Sequence, residues 1–162
     1  MKFSILLPLI FGICTSGIAQ NLSERKLLPN DGSAGDTFGF AVAISGETAL
    51  VGANEKNDFK GAAYFFQKDD AGWQKHAALL PADVAPAALY GFSVALDGDI
   101  SVVGARNDDD NGVNAGAIYI YERRNGVWQQ AAKIISDDGR SFDFFGNTVA
   151  ISAETIIVAA HG

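Results

Sequence analysis

Carboxylates are densest at Asp108-Asp109-Asp110-Asn111-Gly112, with Asn114 close behind. Oxygen ligands on alternate residues around a turn-forming glycine suit a hard cation such as Ca²⁺. No glutamate closes the run at the spacing of an EF-hand loop, and the matching segment, Asn54–Lys60, carries Lys56 and Lys60. A solvated charged loop is therefore the expectation. Calcium at Asp108–Asn114 stays as the alternative, and no resident cofactor is expected. A second acidic set, Asp31, Asp36, Asp138 and Asp143, recurs at equivalent places. It could ring one face and hold cations or a cationic partner; the preferred reading is Asx-type turns that shape loops. His76 lies on a polar stretch, and His161 stands where other copies have Asn54 and Arg106, so the pattern demands no imidazole there. HExxH, GxSxG and Walker motifs are missing from the sequence. Gly91-Phe92-Ser93-Val94-Ala95 only approaches a nucleophile elbow, and Ser93 replaces Ala41 on a small-residue face, which reads as packing. Tyr64, Tyr119, Trp73 and Trp128 could form a sugar platform, but their strict repetition reads as core. No catalytic, cofactor-binding or metal residue is assigned, and the chain is not expected to be an enzyme.

These residues hang on a repeating frame. Phe38–Ala53 (FGFAVAISGETALVGA) returns as Tyr90–Ala105 (YGFSVALDGDISVVGA) and Phe145–Ala160 (FGNTVAISAETIIVAA). With Gly39, Gly91 and Gly146 in register, one alternate set is Phe38, Phe40, Val42 and Ile44, and the other is Gly39, Ala41 and Ala43. Period two marks a strand. The alternation is large against small, so neither face is built for water, and the strand is expected between stacked sheets. Copies must stack because one copy alone cannot bury its own face. Gly46-Glu47 and Gly98-Asp99 read as two-residue hairpin turns, whereas Ala153-Glu154 suits such a turn less and could differ. Return strands follow at Thr48–Ala53, Ile100–Ala105 and Thr155–Ala160. A variable loop then leads to Gly61–Gln67 or Gly116–Glu122, and a turn to a more polar fourth strand, Trp73–Leu80 or Trp128–Ile135. That polarity fits a solvent-facing edge. The spacings, 52 residues from Gly39 to Gly91 and 55 from Gly91 to Gly146, match a four-stranded propeller blade.

The chain has 162 residues with net charge −7, and no cluster of Lys or Arg, which argues against nucleic acid as partner. Residues 1–19 form a separate unit. Lys2 precedes an apolar run, and Thr15-Ser16-Gly17-Ile18-Ala19 offers small residues for cleavage after Ala19, as in a secretory signal peptide. About eleven apolar residues are too few for the roughly twenty a bilayer span needs. No membrane span is therefore expected once the leader is removed. Cys14 falls within the leader, so the mature chain carries no cysteine; bulky Ile13 argues against a lipid anchor there. Asn21-Leu22-Ser23 formally matches a glycosylation acceptor. Residues 20–26 read as a lead-in, and 27–162 as blades: repeats 27–78, 79–133 and an incomplete 134–162.

Phe38-Gly39, Tyr90-Gly91 and Phe145-Gly146, with Gly52-Ala53-Asn54, Gly104-Ala105-Arg106 and Ala159-Ala160-His161, resemble FG-GAP repeats of the integrin α β-propeller, closest to plain bacterial-type FG-GAP proteins. The resemblance implies an all-β partial propeller of about two and a half repeats. Such propellers usually have seven blades, so the chain is expected to be a fragment with further blades. Alone, it is expected to associate through its exposed blade faces. The calcium loop DxDxDG of integrin-type repeats is replaced here by the tight turns, so that site is not carried over. The resemblance also implies an exported, non-catalytic binding or adhesion module, secreted or at the cell surface, or periplasmic. Its rim loops would meet an unidentified protein or carbohydrate. The alternatives are the propeller portion of a larger exported enzyme and a purely structural surface protein.

Overall fold

The structure, a computed structural model, describes residues 25–162. The leader at 1–19, Cys14 and the Asn21-Leu22-Ser23 acceptor lie outside the described residues. The fold is all-β. Its first sheet orders four strands as β1 (Val42–Ser45), β2 (Thr48–Ala53), β3 (Ala62–Asp69) and β4 (Gly72–Leu79). The second repeats this with β5 (Tyr90–Asp97), β6 (Ile100–Ala105), β7 (Ala117–Arg124) and β8 (Val127–Ile134). The third pairs β9 (Thr148–Ser152) with β10 (Thr155–Ala159). All named pairings are antiparallel between chain neighbours, so each sheet is a meander. These are blades of a β-propeller, two complete and one of two strands.

Large-on-small packing joins the blades. The first blade turns Ala43, Leu50, Ala63 and Phe65 toward Tyr90, Val94, Leu96, Val103 and Tyr119 of the second. The second turns Ala95, Val102 and Ile118 toward Val149, Ile151, Ile156 and Val158 of the third. The Trp128 ring lies flat on Phe65 across the first interface, 4.0 Å between centroids and 7° between planes. β2 and all of β6 but its first residue are buried. The inner strand does not have two buried faces everywhere, contrary to its sequence pattern. Val42 and Ile44 are each 56% exposed, and Ile157 on the far side of the third blade is 68% exposed. Each lies on an outer blade face that no described sheet covers.

Two glycine positions explain the repeated motif. Gly39, Gly91 and Gly146 have φ of 90°, 87° and 87°, a region side chains disfavour. Gly52 and Gly104 have ordinary φ but no room: a Cβ on Gly52 would strike the Gly91 carbonyl, and one on Gly104 the Gly146 carbonyl. The FG glycine of one blade thus sits on the GAP glycine of the blade before. Parallel bridges Gly61↔Tyr90 and Gly116↔Phe145 continue this backbone contact outward.

The hairpin tips also tie blades together. The Gly98 N–H donates to Ser45 Oγ (3.0 Å) and the Ala153 N–H to Asp97 Oδ2 (2.7 Å). Ala153 takes φ 50° where Gly46 and Gly98 take 56°. The third turn therefore does not differ from the others: the cross-blade hydrogen bond holds alanine in the left-handed region.

Candidate ligand-binding rim

In a four-stranded meander, the β2–β3 links and the segments leading into β1, β5 and β9 fall at one end of the blades. Hydrogen bonds between these two loop types confirm this. In the first blade, Lys56 on the turn Lys56–Phe59 sends its ammonium back to the loop before β1. It donates to the Asp31 carbonyl (2.6 Å) and to Asp36 Oδ2 (3.0 Å), and lies 3.6 Å from Asp31 Oδ2. Tyr64 Oη donates to Asp31 Oδ2 (3.1 Å), and Lys75 Nζ to Asp31 Oδ1 (3.2 Å). Burial presses the Lys56 ammonium downward, but the bond to Asp36 and the neighbouring Tyr64 and Asp31 outweigh it, holding it above its usual value. At Asp31 burial pushes upward and the bond from Lys75 pulls downward; with help from Tyr64 and Lys56 the carboxyl ends below its usual value. Burial pushes Tyr64 up to about 12.

The second blade keeps the tyrosine and exchanges the charges. Asp108 occupies the place of Lys56 and is fully buried. The cation comes instead from β8: Lys133 Nζ lies 2.8 Å from Asp108 Oδ2, 2.8 Å from Asp110 Oδ2 and 3.4 Å from the Asp83 carbonyl. Tyr119 Oη donates to Asp108 Oδ2 (3.3 Å) and to the Asp83 carbonyl (3.2 Å). Lys133 also lies 5.2 Å from the Tyr119 ring centroid, as Lys75 lies 5.1 Å from that of Tyr64. Burial lowers Lys133, but hydrogen bonds to Asp108 and Asp110 win and raise it. A bulge in the β3–β4 and β7–β8 pairing, between Phe65 and Phe66 and between Ile120 and Tyr121, skips His76 and Ala131. It lies beside Lys75 and Gln130, which reach Asp31 and Asp83.

The sequence candidates now have places. The carboxylates of Asp108 and Asp110 face an ammonium of the chain itself, while Asp109 Oδ1 accepts the Asn114 N–H (2.7 Å). Asp36 and Asp143 each accept the N–H of the residue three before, Ser33 and Arg140, at 2.7 Å. Asp138 accepts from Ser136 Oγ, which holds its carboxyl below the usual value. Ser93 Oγ donates to the Gly146 carbonyl (2.6 Å), linking the second blade to the third. His76 Nε2 lies 3.0 Å from the Gly126 carbonyl, and the His161 ring lies 6.4 Å from that of Phe144. Tyr64 and Tyr119 are fully buried, Trp128 is buried, and Trp73 is half-buried against the first blade's cluster of Tyr64 and Phe66, so the four do not form one open aromatic platform.

One feature escaped the sequence reading. The Arg106 guanidinium lies between the rings of Phe92 (4.6 Å) and Phe144 (4.4 Å), and Phe92 packs on Phe40 at 4.9 Å. The available signal was a joint change between repeats: Asp36 and Thr37 become Ala88 and Leu89 where Asn54 becomes Arg106.

The blades, their glycine contacts and the loop-bearing rim define a β-propeller-type repeat module. Residues 22–66, 73–121 and 128–162 match the family described as FG-GAP repeat, and the chain belongs to that family. No curated protein matches the sequence.

Proposed function

We propose that this chain is an exported, non-catalytic binding module that meets a protein or carbohydrate ligand with the loops at this rim. One observation carries the reading: successive blades share strand order, bulge and glycine contacts, while the loops at one end are rewired from Asp31–Lys56–Tyr64 to Asp108–Lys133–Tyr119. Regular strands hold the frame and variable loops confer specificity. FG-GAP repeats are typical of extracellular or surface proteins. Among the described residues no helix is long and apolar enough to cross a membrane. Residues 1–19 supply the export signal in this reading.

The test has two arms. Expression with and without residues 1–19 should place only the leader-bearing chain outside the cytoplasm, beginning at Gln20. Peptide and glycan arrays should then show a ligand whose binding is lost when Arg106–Ala115 is replaced by Asn54–Lys60, with melting temperature kept. Retention of the leader-bearing chain in the cytoplasm, or array binding indifferent to both loops, would refute the reading.

A further inference from the structure

At the rim, Phe40, Phe92, Arg106 and Phe144 form a ladder across three blades. Successive separations are 4.9, 4.6 and 4.4 Å, and Phe142 adds a ring 6.3 Å from Phe144. Its outer rings are open, Phe40 at 48% and Phe142 at 55% exposure. Two rings cover the guanidinium, and it makes no ion pair or hydrogen bond with a described residue. Among the described residues its Nε is buried without a partner, and so is Oδ1 of the adjacent Asn107. Neighbouring buried polar atoms left open in one loop call for a reason, since a buried donor or acceptor without a partner loses its hydration and gains nothing in return. A purely structural residue at this place does not incur that penalty. The equivalent Asn54 accepts from Thr37 Oγ1 at 2.8 Å. In the second blade Leu89 replaces that threonine and a cation replaces the asparagine.

We propose that this ladder is a docking site for an acidic peptide segment of a partner protein, in which one carboxylate meets the Arg106 guanidinium and flanking apolar side chains cover Phe40 and Phe142. A guanidinium recognises a planar carboxylate through paired N–H donors, and charge-assisted bonds are strong where rings exclude water. The chain's overall charge of −7 works against an anion at long range, so selection of one rests on the local donors of Arg106, which has no acidic partner among the described residues. The exposed ends of the ladder are phenylalanines, which offer a sugar no hydrogen bonds, and this favours a peptide with apolar side chains beside its carboxylate over a glycan. The proposal rests on the binding-module reading above and names its ligand class.

The test uses the full chain, labelled with ¹⁵N, and follows the Arg106 Nε–Hε resonance. The probes are an N-acetylated, C-amidated pentapeptide with aspartate between leucines, its asparagine analogue, and a trigalacturonate. The aspartate peptide should move the resonance and the asparagine peptide should not. Arg106→Gln and, separately, Phe40→Ser should each weaken the aspartate peptide about tenfold or more at unchanged melting temperature. The proposal is overturned if only the trigalacturonate moves the resonance, if no probe does, or if Phe40→Ser binds normally while Arg106→Gln merely lowers the melting temperature. A ligand lost on loop replacement but indifferent to Arg106→Gln would sink this proposal and leave the module reading intact.

Discussion

The residue with most at stake is Asp108, fully buried and held by Lys133, whose side chain is 13% exposed. Removing one partner of a buried ion pair leaves an uncompensated charge, at about 3–5 kcal/mol. Lys133→Met should therefore lower stability by about 3–5 kcal/mol in urea unfolding, and adding Asp108→Asn should recover most of the loss. Equal stability of the single and double variants would show that the pair is not coupled. The same region sets the response to alkali. All four tyrosines sit above their usual value, from burial first: Tyr64 at about 12, and Tyr90, Tyr119 and Tyr121 well above it. Lys56 and Lys133 are raised too. In the unfolded chain tyrosine ionises near 10.0 and lysine near 10.5, so above that range the unfolded state has released protons the folded state keeps. Stability should be full below about pH 10 and fall steadily above it. Tyrosinate absorbance should rise together with unfolding, not before it. This wiring was half legible. The sequence shows Lys56 exchanged for Asp108 and Ala78 for Lys133 at matched places. That these changes compensate one another depends on a loop and an edge strand meeting in space.

Among the elements, β2 and β6 carry the contacts that join the blades. Gly104 lies against the Gly146 carbonyl, and Ser93 donates to that same carbonyl. Gly104→Ala should push the third blade off the second and cost about 1–3 kcal/mol, measured by thermal unfolding. Ala159, the matched residue in β10, is already an alanine and is exposed. Ala159→Gly should therefore bring no gain from relieved crowding. The hairpins, the four-strand order and the polar outer strands were readable, because period two and two-residue turns are local signals. The bulges that skip His76 and Ala131 were not, because they arise from pairing with β3 and β7.

Across the whole molecule, stability should run from the middle outward. β6 has a blade on either side and a strand on either edge, whereas β10 pairs on one edge and leaves Ile157 exposed. Native-state amide exchange should be slowest in β6 and fastest, among the strands, in β10. Equal protection of the two would mean that the blades unfold as one unit. The blade plan was set by the chain itself: repeated glycines, alternation of bulky and small residues, and matched spacings act through neighbours in sequence and need no partner to be read. The tertiary structure decided which faces stay open at Val42, Ile44 and Ile157, which carboxylates are neutralised from within, and that Arg106 stands between two rings without an acidic partner among the described residues. Each of these depends on residues far apart in the chain arriving at one place, and burial and charge are properties of that place.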